Sequence, residues 1–147
     1  AGGLGVFDPG INALSIVTRI LPRPIFLEVA TLEIPANRAA PIAADLHFRD
    51  TGGAIVHMDL DWRQTGPQSW DIAVETDAGT LRLSGGGAVL TLPSGTQRDE
   101  DHEYTGLYAR FATLIRTGRS DVDIDPLRLV ADAFLRGTRV AVDPFED

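Results

Sequence analysis

Between Ile25 and about Leu92 the apolar residues recur at every second position, and this alternation narrows the possible folds more than any other feature. A period of two sends successive side chains to opposite faces, so these runs are predicted as half-buried strands. In Ile42 to Phe48, the residues Ile42, Ala44, Leu46 and Phe48 share one face while Asp45 and His47 take the other. In Ile55 to Arg63, the residues Val56, Met58, Leu60 and Trp62 oppose His57, Asp59, Asp61 and Arg63, which makes Trp62 a core tryptophan. Further strands are predicted at Phe26 to Ile34, Trp70 to Thr76, Thr80 to Ser84 and Ala88 to Leu92. Turn signals at Asp50-Thr51-Gly52-Gly53, Asp77-Ala78-Gly79 and Gly85-Gly86-Gly87 separate them by short connections, which favours antiparallel neighbours.

Helical spacing flanks this region. Asp8 suits an N-cap and Pro9 a first helical position, and Ile11, Leu14, Ile16, Val17, Ile20 and Leu21 give a broad apolar stripe that Pro22 and Pro24 stop. A second helix is predicted over Glu103 to Thr117, with Leu107, Phe111, Leu114 and Ile115 as its stripe and Gly118 at its end. A third opens at Asp125-Pro126, carries Leu127, Val130 and Phe134, and stops at Gly137. Helix, run of strands, then helices is the order of an α+β two-layer domain: an open, mainly antiparallel (mixed) sheet of about six strands with helices on one face. A doubly wound parallel sheet would alternate the two element types.

The 147 residues suffice for one domain with a sizeable core, and 44% hydrophobic against 23% charged residues is ordinary for a soluble globular chain. A formal charge of −8 repels nucleic-acid phosphates and anionic membranes, so neither is an expected partner. No apolar stretch approaches the ~20 residues needed to cross a bilayer, and no basic flank precedes an apolar run near the start. Without cysteine there is no disulfide, thiolate metal site or thiol nucleophile, which is compatible with a cytoplasmic location. All 13 basic residues are arginine, so a lysine general base or Schiff-base amine must come from elsewhere. The chain starts with alanine and its one methionine is Met58, so it is read as processed or as a piece of something longer.

Several constellations carry little chemistry. Gly2-Gly3-Leu4-Gly5 follows no strand and matches neither a P-loop nor GxGxxG, and Gly85-Gly86-Gly87 lies between strands, so both read as turns. His47, His57 and His102 lack metal-ligand spacing; His47 and His57 are expected near Asp45 and Asp59 on a polar sheet face, with no metal. No serine sits in a nucleophile elbow. In Gly5-Val6-Phe7-Asp8-Pro9-Gly10-Ile11-Asn12, a carboxylate and a carboxamide four residues apart fall on one helical face. The pair either grips a sugar hydroxyl or consists of a cap and a bystander. Asp125-Pro126 opens another helix with no sign of chemistry, so capping alone accounts for Asp8.

The string AGGLGVFDPGINALSIVTRIL (Ala1 to Leu21), with Tyr104-Thr105-Gly106-Leu107-Tyr108 and Asp125 to Ala133, resembles the C-terminal domain of Gfo/Idh/MocA oxidoreductases, especially bacterial L-arabinose and D-galactose 1-dehydrogenases. The likeness covers essentially residues 1–147, read as a single substrate-binding and oligomerisation domain. It implies an N-terminal Rossmann domain that binds NAD or NADP and holds the catalytic lysine, so the chain alone is expected to be inactive. It implies Asp8 as the proton-handling carboxylate and Asn12, where many members have histidine, as a sugar-orienting amide that cannot titrate. By the same resemblance Trp70 lines the sugar pocket; by pattern alone it serves equally as core. His102, Glu103 and Tyr104 read as a solvated helix start. The competing expectation is a non-catalytic module in which Asp45, His47, His57, Asp59, Asp61 and Arg63 pair the open sheet face with a second copy. A member acting on another polyol, or serving as a sensor, is a third.

Overall fold

The computed structural model describes residues 3–67, 71–100 and 102–146. They fall into two units, Ala1–Gln64 with Val122–Asp147 and Thr65–Asp121. In the first, strands β1 (Ile25–Pro35), β2 (Ala43–Asp50), β3 (Ile55–Asp61) and β8 (Thr138–Val142) form a sheet of order β3-β2-β1-β8. Its pairs are antiparallel except β1 with β8. Helices α1 (Phe7–Ile20) and α3 (Asp125–Arg136) cover one face. In the second, β4 (Ile72–Thr76), β5 (Gly79–Ser84), β6 (Val89–Leu92) and β7 (Gly95–Arg98) form an antiparallel meander, followed by α2 (Glu103–Thr117).

The predicted α+β class, with mixed and antiparallel pairing, is what the chain adopts; eight described strands replace about six. The two unforeseen strands are both short edges. Gly95–Arg98 is exposed throughout and carries no apolar alternation, while Thr138–Val142 gains its place by pairing with β1 after the α3 crossover. Gly85, Gly86 and Gly87 form a 3₁₀ turn in which each has positive φ, a region only glycine enters freely, as a turn between strands requires.

The core lies between the first sheet and its two helices. Phe7, Leu14 and Val17 of α1 and Leu129, Val130 and Ala133 of α3 meet Leu46, Phe48 and Met58 from the strands. β1 reverses its parity halfway: Ile25 and Leu27 point inward before a bulge, Ala30 and Leu32 after it. The extra residue lets both halves of one strand feed the same core. The predicted apolar stripe of α2 differs, since Leu107, Phe111 and Ile115 are exposed.

The β2–β3 hairpin is locked by Asp50, only 5% exposed. Its Oδ1 accepts hydrogen bonds from the Gly52 and Ala54 amides at 2.7 and 2.8 Å, and its Oδ2 accepts one from Arg23 Nε at 2.8 Å. The turn signal thus has a partner in the connection that leaves α1. The Arg23 hydrogen bond, with help from the two amides, holds the Asp50 carboxyl below the usual carboxylate range. A depressed folded-state pKa stabilises above the unfolded value of about 3.9 and is lost as pH falls through the folded value. Asp50→Asn should therefore be less stable than the parent at pH 7, with the gap closing as pH falls below about 4. Denaturant titrations at pH 7 and pH 3 check this; an equal gap at both would contradict it.

Candidate functional site

The entry into α1 is set by Gly5, at φ 60°. A Cβ there would overlap the Pro41 carbonyl oxygen, which instead accepts the Val6 amide hydrogen bond at 2.9 Å. This left-handed turn presses the start of the helix against the loop before β2. Phe7 follows, fully buried, with its ring centroid 5.2 Å from that of Phe134 on α3. Gly10 is buried one turn on, where a Cβ would stand 2.6 Å from Leu60 Cδ1. With Phe7 and Gly10 facing inward, Asp8 and Asn12 fall on the exposed side, one turn apart.

The capping expectation for Asp8 is corrected. The N-cap is Val6, in right-handed helical conformation and without a side-chain cap, so Asp8 already lies inside the first turn. Its own amide donates to the Gly5 carbonyl at 2.9 Å, the turn made possible by Gly5. The comparison with Asp125 fails likewise: α3 is capped at Ile124 without a side-chain bond, and Asp125 faces Arg128 Nε at 3.4 Å. The Asp8 carboxylate makes no hydrogen bond or ion pair with any described residue. Its remaining structural role is a charge in the first turn of a helix, worth about 0.3–1 kcal/mol.

Asp8 lines a cleft of about 400 Å³ in the first unit, together with Leu4, Gly5, Arg38, Ile42, Trp62 and Phe145 among others. That volume falls in the ~300–1,000 Å³ span of small-molecule sites. Trp62 is a second correction: it is 50% exposed and lines the cleft, where alternation made it core. The ladder stops at Ala43 opposite Asp61, and Asp61 Oδ1 accepts the Arg63 amide at 2.8 Å, so the chain turns before the period reaches Trp62. The Asp-Trp-Arg string, with an acid two residues before a polar amide, was the available signal for that turn. Asn12 is exposed but is not part of the cleft wall. Trp70 lies outside the described residues. His102 and Tyr104 are exposed around the start of α2.

The polar face of the first sheet carries the predicted residues, in closer company than their spacing suggested. His47 and His57 are directly opposed across the β2–β3 ladder with rings stacked at 4.6 Å, and Asp45 meets both. Arg63 pairs with Asp61 at 2.9 Å and with Glu33 at 2.7 Å.

No protein-family model matches the chain. By fold it resembles half of a 3-ketoreductase from Actinomadura kijaniata solved with TDP-benzene and NADP: TM-score 0.77 over 97% of this chain and 50% of that one, at 12% identity. The D-galactose-1-dehydrogenase protein from Rhizobium etli shares 61% identity at TM-score 0.92 over 98% of this chain and 46% of that one. Galactose 1-dehydrogenase from Pseudomonas fluorescens is 47% identical over 146 residues, 99% of this chain and 48% of that protein. The chain is thus a relative of galactose 1-dehydrogenases, as its sequence suggested, and spans about half the length of the relatives it matches.

The cleft depends on the Gly5 turn. Gly5→Ala should cost about 1–3 kcal/mol through strain at positive φ and collision with Pro41. Urea unfolding measures it, and a change under about 0.5 kcal/mol, the scatter of ordinary surface substitutions, would contradict the turn's role.

Proposed function

We propose that this chain is the substrate-binding half of an NAD(P)-dependent aldose 1-dehydrogenase of the Gfo/Idh/MocA family, oxidising L-arabinose or D-galactose to its lactone. In this reading residues 1–147 act as one C-terminal domain, and an N-terminal Rossmann domain binds NAD or NADP and brings the lysine this chain lacks. The observation that carries it is Asp8: a carboxylate with no partner among the described residues, on the wall of a cleft that also presents an indole. Similarity to galactose 1-dehydrogenases over 98–99% of the chain supports the substrate class.

None of the described glycine turns of this chain follows the strand-to-helix pattern of a dinucleotide site. A bound nicotinamide would supply the acceptor for the hydride that leaves the anomeric carbon. The residues of this chain handle what remains. Asp8 accepts the hydrogen bond of the anomeric hydroxyl and holds its proton as the C–O bond becomes C=O. Asn12, which cannot titrate, donates to and accepts from a ring hydroxyl. Trp62 offers a flat apolar surface to the C–H face of the sugar, the role expected of Trp70. The two sugars differ only at the exocyclic carbon of galactose, and none of these groups selects between them.

A sheet-mediated pairing of two copies accompanies this function. Val29, Ile55 and Val140 are exposed on the strands of the open sheet among its charged residues, Ile55 by 64%.

In the intact protein, Asp8→Asn keeps the shape and removes the charge. It should lower kcat/KM for D-galactose by about 10²–10⁴, mostly through kcat. Steady-state nicotinamide reduction reads this out, and normal turnover would remove Asp8 from the chemistry.

A further inference from the structure

We propose that Asp45, His47 and His57 form a binding site for one divalent transition-metal ion of the zinc class, on the sheet face away from the helices. Asp45 Oδ1 lies 2.8 Å from His47 Nε2, and Asp45 Oδ2 lies 2.9 Å from His57 Nε2. The ligand-capable atoms all fall within 4.8 Å of one another. A tetrahedral ion with bonds of about 2.0–2.2 Å holds its ligand atoms roughly 3.3 Å apart, so small side-chain rotations open the cluster to admit it. Two imidazole nitrogens and a carboxylate oxygen, with no thiolate, are the donor set that suits Zn²⁺, Ni²⁺ and Cu²⁺.

The backbone holds these side chains together. His47 and His57 are a cross-strand pair, each five residues from Gly52 at the hairpin end, and Asp45 is two positions along β2 on the same face. The imidazoles stack at 4.6 Å and 19°, and both Nε2 atoms converge on one carboxylate. The site is thus largely formed before any ion arrives.

A second observation independently calls for a cation. Asp59 lies directly opposite Asp45 in the ladder, and like charges in that relation destabilise a sheet. The Asp59 side chain has no hydrogen bond or ion pair with a described residue. The arginines nearby are otherwise engaged, Arg63 with Asp61 and Glu33, and Arg49 with Glu28 at 2.6 Å. Among the described residues, the two facing carboxylates thus have as counter-groups only the two imidazoles at Asp45, which are charged only when protonated. A divalent ion replaces the two N–H protons that point at Asp45, leaving each imidazole neutral with its proton on Nδ1. Three protein ligands leave further coordination positions for water or a group presented by another molecule.

The test is a Zn²⁺ titration of the intact protein in competition with a chromogenic chelator, for wild type and for His47→Gln, His57→Gln and His102→Gln. Wild type and His102→Gln should bind one ion at this site, and each of the other two variants should lose at least about tenfold in affinity, since even outer-sphere changes cost 10–100-fold. In wild type, histidine ring resonances of His47 and His57 should shift on adding Zn²⁺ while those of His102 stay in place, a readout independent of how the variants fold. No Zn²⁺ binding at micromolar concentration, or affinity and ring shifts unconnected to His47 and His57, would overturn the proposal.

Discussion

The first turn of α1 is pinned from two sides, by the Phe7 ring buried against Phe134 and by Gly10 closed against Leu60. Deleting an aromatic ring at such a site typically costs about 3–5 kcal/mol, a large share of a domain's net stability. Because a helix has a fixed pitch, burying positions 7 and 10 turns positions 8 and 12 outward. The polar pair owes its exposure to the core behind it. Gly5 completes the arrangement by letting the chain turn into the helix against Pro41, on the rim of the cleft that Asp8 lines.

Much of this was legible in the sequence because it rests on local pattern. The alternation in Ile42 to Phe48 and Ile55 to Asp61 assigned each face of β2 and β3, and Asp50-Thr51-Gly52-Gly53 marked their hairpin. The extents of α2 and α3 follow from periodicity and the glycines after them. What escaped depends on tertiary pairing. β8 exists through its parallel ladder with β1, and the exposure of Trp62 depends on where the β2–β3 ladder ends. The cap reading of Asp8 rested on a dipeptide preference, whereas the amide of Asp8 is satisfied by the backbone turn at Gly5. The histidine cluster is a matter of register: His47 and His57 are ten positions apart in the sequence, yet the hairpin opposes them.

The first sheet separates two kinds of surface. One face carries the helices and the core, and the cleft with Asp8 and Trp62 opens in this same unit. The other face holds the Asp45, His47 and His57 cluster between flanking arginine pairs. The His57 hydrogen bond, above all, keeps the Asp45 carboxyl below its ordinary range. In the proposed reading, substrate chemistry at one surface and ion binding or self-association at the other would use different residues of one scaffold.

The central claim is that the outward face of the first turn of α1 touches the reacting end of a sugar. A crystal structure of the intact protein with a nicotinamide cofactor and D-galactose tests it most directly. The account predicts an Asp8 carboxylate oxygen within about 2.6–3.2 Å of the anomeric hydroxyl, with Asn12 or Trp62 on the same sugar. A sugar bound with its anomeric carbon away from Asp8, next to some other acid or base, would contradict it.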